Sequence, residues 1–407
     1  MGRTLEVLED ILVYGILLCI LAYAYFTFFP RGASVEGFST SNDVIRIQSL
    51  IQTELTEVRK KTPTFFTQTS SAPQLPTNQS FLVNICPLTA DIGGYLGSTK
   101  RKTKGHHEQH GMMNADFYLQ TAFQAGIRSF VLPISTYINA SRTPPEWPYS
   151  GDPALVARNA SDTIITENGL TIDSFVASLL QHKSISGYGS EPIFLILEDA
   201  VSDIDRKKID YVTFMKKIAA ALAPLDSYRL TSVGSYGSVV GGQKQNELLT
   251  QIPLSTFNNK IVIFTNFDVV QDPNLTLASY ANFIYYDNTK EVRTVGMEQL
   301  PGSTTDYVTQ ARINWYFARS LTPLVAPTVT AVQLALDNGL QCVPIPFISE
   351  SMESVSHIWA LWKGASYTLK AEKARYTQPA PVVPAQVSTR LNASIQGQKP
   401  GNLVVNN

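Results

Sequence analysis

Apolar positions along the chain follow three regimes. From Ile11 to Phe29 the run ILVYGILLCILAYAYFTFF holds nineteen residues without a charge. As a helix rising about 1.5 Å per residue it would span about 28 Å, close to the roughly 30 Å of a bilayer's hydrocarbon core. The pattern therefore predicts one transmembrane helix over residues 11–29, behind an N-terminal flank of residues 1–10. The flank carries Glu6, Glu9 and Asp10 in place of the basic cluster of a signal peptide, which favours an uncleaved, single-pass anchor. Arg3 on one side and Arg31 and Arg46 on the other leave the orientation open. Glu6 stands where a myristoylation signal needs Ser or Thr after Gly2.

In the second regime, residues 30–79, Val44, Ile45, Ile47, Leu50, Ile51 and Leu55 recur at helical spacing behind a cap at Ser41 or Asn42. This reads as a stalk helix, followed by the linker PTFFTQTSSAPQLPTNQS.

From Ser80 onward near-continuous apolar runs alternate with amphipathic ones. SFLVNICPL, IRSFVLPIS, PIFLILED, KIVIFTNFD and LQCVPIPFI read as strands. NADFYLQTAFQAG, TIDSFVASLLQHK, DRKKIDYVTFMKKIAAALAPL, QNELLTQIPLSTF, TVTAVQLALDNG and SMESVSHIWALW read as helices. Strands apolar on both faces belong to a parallel sheet covered by helices. No G-x-G-x-x-G follows the first run and no G-x-x-x-x-G-K-[ST] occurs, which weakens a nucleotide-binding doubly wound sheet. The expectation is an α/β protein with a TIM-like (β/α)8 barrel over residues 80–365 and an extended, Pro-rich tail over residues 366–407.

Composition adds limits. With 44% hydrophobic residues the chain can bury a core, and a net charge of -1 supplies no global attraction for nucleic acid. The local exception is Lys100, Arg101, Lys102 and Lys104, placed to meet phosphate or anionic lipid headgroups. Cys19 lies in the apolar span, and Cys86 and Cys342 sit in strand-like runs where a buried free thiol is the expectation. The Asn-x-Ser/Thr sequons at Asn78, Asn139, Asn159, Asn274 and Asn392 do not fix a compartment.

Four segments in order, GIRSFVLPIS, NGLTIDSFVASLL, EPIFLILEDA and LDNGLQCVPIPF, resemble the phosphoinositide-specific phospholipase C family, the PLC-like phosphodiesterase barrels, over Ser80 to Ile348. The resemblance implies a site of two histidines with a calcium cradle or an arginine. The family's Ser-His-Asn-Thr-Tyr-Leu falls on DIGGYL, with Ile92 in place of the first histidine and Gly93 in place of the calcium-binding Asn. The second histidine falls on Asn168, the second-strand acids on Val131 and Pro133, and Glu198 alone keeps its acid, with Asp199 beside it. One carboxylate without imidazole cannot act as base, acid and cation cage at once. The resemblance thus implies a degenerate barrel serving as a structural or binding module, with no cofactor. A membrane-anchored form of it is similar to proteins of large DNA viruses, which implies a virion membrane or capsid-associated role. The expected partners are the bilayer, through residues 11–29, and a protein along the tail.

The alternative is an active phosphodiesterase with a relocated site. The stretch KRKTKGHHEQHG brings His106, His107 and His110 into the loop after the first strand, on the face where barrels of this kind place their chemistry. With Glu198 these imidazoles would be catalytic, or His106, His110 and Glu198 would hold calcium or zinc. Gly105, Gly111 and four neighbouring cations instead favour a solvated loop. His182 and His357 lie in helices and read as structural, and GSYGSVVGGQ lacks nucleophile-elbow spacing.

Overall fold

The computed structural model describes residues 56, 68, 70–97, 111–136, 152–158, 164–166, 169–185, 191–229, 248–272, 274, 276–285, 292–297, 300, 305–319, 325–348 and 352–380. The predicted membrane span, nearly all of the stalk, and the histidine and lysine loop lie outside them. Among the described residues no helix is long and apolar enough to cross a membrane.

Eight short strands form the framework: β1 (Thr89–Asp91), β2 (Ser129–Thr136), β3 (Ile193–Asp199), β4 (Ile261–Thr265), β5 (Phe283–Ile284), β6 (Val292–Gly296), β7 (Trp315–Arg319) and β8 (Pro344–Pro346). Parallel pairing runs β8, β1, β2, β3, β4, β5, and β6 pairs with β7, also parallel. A single parallel bridge, Phe317 to Cys342, with the Ala318 amide donating to the Cys342 carbonyl at 2.7 Å, carries β7 onto β8. Among the described residues β5 and β6 are not paired, so the expected closed barrel is corrected to a parallel ring broken at one seam. At this seam β5 is only two residues long.

Helices cover the outside: α1 (Ala115–Gln124), α2 (Ile172–Ile185), α3 (Tyr211–Leu222), α4 (Thr305–Ala311), α5 (Val329–Asp337) and α6 (Met352–Trp359). Their starts follow capping chemistry: Asn114 Oδ1 accepts from the Phe117 amide at 2.9 Å, and Thr328 Oγ1 from the Ala331 amide at 3.2 Å. The long helix expected from DRKKIDYV is corrected by the same rule. Ser202 caps a one-turn helix, Asp203–Arg206, and Asp210 then caps α3 anew. QNELLTQIPLSTF is likewise broken at Pro253, after which only a 3-10 turn, Leu254–Phe257, forms.

Period-two alternation sorts the strand residues into two cores. Val131, Phe194, Ile196, Val262, Phe264, Phe283, Val292, Trp315 and Phe317 fill the ring's interior. Ala90, Phe130, Leu132, Leu195, Ile263, Tyr316, Ala318 and Ile345 face the helices. Aromatic packing crosses the open seam: Phe264 stacks on Phe283 at 4.5 Å and meets Phe317 edge-on at 5.2 Å.

The run SFLVNICPL is not the first barrel strand, a further correction. Phe81, Leu82, Val83 and Ile85 instead close the base of the ring and join its interior core, and Ile85–Pro87 pairs antiparallel with Tyr367–Leu369. An apolar run that plugs a barrel end is buried all round, as a central strand is, so periodicity alone does not separate them. Residues 366–380 are thereby part of the folded unit. Asn84 donates to the Tyr376 carbonyl and accepts from its amide, each at 2.7 Å, and the Gln378 amide donates to the Asn78 carbonyl at 2.8 Å. Lys370, fully buried here, donates to the Ala311 carbonyl, and burial pulls its ammonium down to about 7. Cys86 and Cys342 are buried free thiols, as expected.

The Gln of LDNGLQCVPIPF has a structural task. Gln341 Oε1 accepts from the Tyr316 amide at 2.8 Å, and Nε2 donates to the Val83 and Asn314 carbonyls at 3.0 and 3.1 Å, tying plug, β7 and the lead into β8 together. Gln341→Leu leaves three buried backbone groups without these partners and is expected to cost about 2–3 kcal/mol in denaturant unfolding, with the slope unchanged.

Candidate functional site at the barrel mouth

The plug closes one end of the ring, so the accessible end is the C-terminal one, where parallel α/β barrels expose their loops. Four polar side chains project there from separate strands. Asp91 ends β1, Glu198 is the penultimate residue of β3, Arg319 ends β7, and Tyr285 directly follows β5. Their inward direction follows from alternation: Phe194 and Ile196 precede Glu198 in the interior core, Trp315 and Phe317 precede Arg319, and Ala90 before Asp91 faces outward. Tyr285 belongs to the interior core itself.

The electrostatics show that these groups share one space. Burial raises the Asp91 carboxyl to about 7, and the charge of Glu198 adds to the rise. The Ile92 amide and the Arg319 charge oppose it. Glu198 is raised by burial and held back by Arg319. Tyr285 is pushed well above the ordinary phenol range by burial and then by Glu198. Asp91 and Glu198 each keep some contact with solvent, as groups on the floor of an opening do, while Arg319 is exposed at its rim. Tyr285 is 4% exposed, and its buried hydroxyl has no hydrogen-bond partner among the described residues. A buried phenol without a partner among the described residues, beside a carboxylate and a guanidinium, is the arrangement of a ligand site.

The positions aligned with the family's machinery tell the opposite story. Ile92 is buried with φ at 46°, a left-handed backbone rarely held by a β-branched residue. At Gly93 an added Cβ would lie 2.7 Å from Leu132 Cδ2 and 3.3 Å from Phe175 Cε2, so an Asn there requires the core to move. Val131 is interior core, and Pro133 sits in register beside Glu198. Asn168 lies outside the described residues, as do His106, His107, His110, Lys100, Arg101, Lys102 and Lys104. Among the described residues no group of three His, Cys, Asp or Glu side chains converges as a metal site. Calcium takes six to eight oxygens and structural zinc four ligands, so Asp91 and Glu198 alone fit neither ion.

His182 is structural: its Nε2 pairs with Asp116 Oδ1 at 2.7 Å, joining α2 to α1. Asp199, whose side chain points away from the interior, receives Arg206 and the Tyr211 hydroxyl, while its Oδ1 accepts from the Val201 amide at 3.1 Å. It organises the loop after β3. Asp91, Tyr285 and Arg319 escaped the sequence reading. Placing the first strand at 80–88 moved Asp91 into a loop, and a correct strand assignment would have shown an acid at the end of β1.

No family model matches the sequence, and no curated protein matches it. Among solved structures, the chain is similar to PLC21 of S. officinalis and to PLC21 of L. pealei, each at TM-score 0.49 and 12% identity, covering 75% of this chain. The chain spans 39% of the length of each. It is also similar to a Silicibacter pomeroyi DSS-3 protein described as a glycerophosphoryl diester phosphodiesterase, at TM-score 0.36 and 9% identity, covering 72% of this chain and 99% of that one.

Proposed function

We propose that the chain is a PLC-like barrel that has lost imidazole and calcium chemistry and serves as a binding module for a phosphate ester at its mouth. The observation that carries this reading is the mouth itself. Arg319 at the rim is placed to meet the phosphate, Glu198, Asp91 and Tyr285 on the floor are placed to meet ligand hydroxyls, and Ile92, Gly93, Val131 and Pro133 replace the catalytic set. The anchor over residues 11–29 would hold the module on a membrane, with a virion membrane as its setting and a protein partner along the tail.

The test uses the purified full chain with glycerophosphoglycerol, a diester with one charge. Titration calorimetry is expected to show binding that weakens at least about tenfold in Arg319→Gln, since a charged hydrogen bond contributes roughly 1.5–3 kcal/mol. Release of product from phosphatidylinositol or glycerophosphodiesters, with or without calcium, is expected to be absent. Turnover abolished by Glu198→Gln would overturn the loss of activity, and unchanged binding by Arg319→Gln would overturn the site.

A further inference from the structure

The end of the ring opposite the mouth gathers cations. In a parallel ring all strands start at one end, and the segments around those starts bring basic side chains together there. Lys260 directly precedes β4, and its carbonyl accepts from the Ile193 amide at 2.9 Å. Arg229 bridges to Ile261 beside it, its guanidinium 4.2 Å from the centre of the Tyr280 ring. Lys183, near the end of α2, holds its ammonium 4.4 Å from the centre of the Tyr228 ring and, after burial, is lowered by the charge of Lys260. Before β7, the exposed Arg312 donates to the carbonyl of the exposed Lys373 at 3.1 Å. Lys363, also exposed, follows the 3-10 turn Ala360–Trp362 behind α6.

Acids at this end are fewer. Glu191 pairs with the buried Arg128 at 3.5 Å and Asp226 with Arg229 at 2.7 Å, which leaves Asp337 and Glu372 among the described residues. The sequence segments contiguous with this end, 57–67, 186–190, 230–247, 286–291 and 381–407, together hold more lysine and arginine than aspartate and glutamate, so they do not reverse its sign. Tyr228 and Ile313, 36% and 44% exposed, set apolar surface among the cations. The chain also enters here. The Ser70 amide donates to the Gly364 carbonyl at 3.1 Å and its hydroxyl to the Lys363 carbonyl at 2.8 Å, and the sequence behind Ser70 leads back to the apolar run 11–29.

Resting on the anchor reading above, we propose that this basic base is a second interaction surface, which docks the ring onto anionic phospholipid headgroups and turns the mouth away from the bilayer. Cations beside such a surface gain an attraction that salt screens, and a tyrosine suits the headgroup level. The ligand of the mouth then arrives from solution or from an opposing surface, not from the bilayer that holds the anchor.

The experiment is lysine acetylation, read by mass spectrometry, on the full chain in bilayer nanodiscs of phosphatidylcholine alone and of phosphatidylcholine with about one-third phosphatidylserine. Lys260, Lys363 and Lys373 are expected to react about fivefold more slowly in the anionic discs, and to recover in about 0.5 M salt. Lys207 and Lys208, exposed after β3 on the mouth side, are expected to react equally in both. Lys260→Glu with Lys373→Glu is expected to remove the protection of Lys363. Equal reaction of the base lysines in both discs, protection confined to Lys207 and Lys208, or protection by transfer RNA but not by anionic discs overturns the proposal. Failure to co-elute with neutral discs overturns the anchor reading alone, and the anionic discs still decide which face meets the lipid.

Discussion

Lys370→Met is expected to stabilise the protein most strongly at pH 7 and below, and to lose that advantage steadily up to pH 10. Lys370 is wholly enclosed between the base of the ring and the C-terminal segment, with its ammonium donating to the Ala311 carbonyl. Burial lowers it to about 7, against about 10.4 in an unfolded chain. Below 7 both states are protonated, and the folded state carries the full cost of a buried charge. Between 7 and 10.4 the unfolded chain binds the extra proton, so wild-type stability climbs with pH. The climb is bounded at about 5 kcal/mol, from about 1.4 kcal/mol for each tenfold change in proton affinity. Methionine removes it. Cys86 and Cys342, both raised by burial to about 12, act in the reverse sense above pH 8.5, but they are present in both proteins and largely cancel in the difference. Denaturant unfolding of the two proteins at pH 6.5, 8 and 9.5 checks this. Parallel stability curves would show that Lys370 is charged or solvated in the folded state.

Phe264→Ala is expected to cost about 3–5 kcal/mol, the range for deleting a buried aromatic ring. Phe264 is fully buried at the centre of the interior core, stacked on Phe283 at 4.5 Å, with Trp315 at 5.3 Å and Phe317 at 5.2 Å. Those contacts bridge β4 and β5 to β7 across the seam, where no backbone ladder is formed among the described residues. The loss should therefore appear in amide exchange as local opening of β5 and β6 before global unfolding. The outer-face residue Ile263 supplies the control. Ile263→Val is expected to cost only about 1 kcal/mol and to leave exchange at the seam unchanged. Equal opening in both variants would mean that the aromatic bridge does not hold the seam.

Much of the architecture was legible in the sequence because strands buried on both faces leave continuous apolar runs. IRSFVLPIS, PIFLILED and KIVIFTNFD became β2, β3 and β4, and Asn114 and Thr328 marked helix starts. The misreadings have physical causes. The plug at residues 81–85 is as apolar as a strand, β5 is too short to show a period, and Asp210 restarts a helix inside a run that is helical in composition. One of the four residues of the candidate site was legible. Glu198 stood out at the end of a clear strand, whereas Asp91, Tyr285 and Arg319 belong to strands whose closeness arises only when the ring assembles.

The base ribbon also determines how the molecule answers force. Ile85 is paired with Leu369 and Pro87 with Tyr367, so the chain ends leading away through residues 70 and 380 depart from the same end of that ribbon. A pull on the two flanking segments loads its hydrogen bonds one after another, as in a zipper, instead of all together in shear. The clasp of Asn84 with Tyr376 would yield first, then the ribbon, uncovering Lys370 while the parallel strands stay intact.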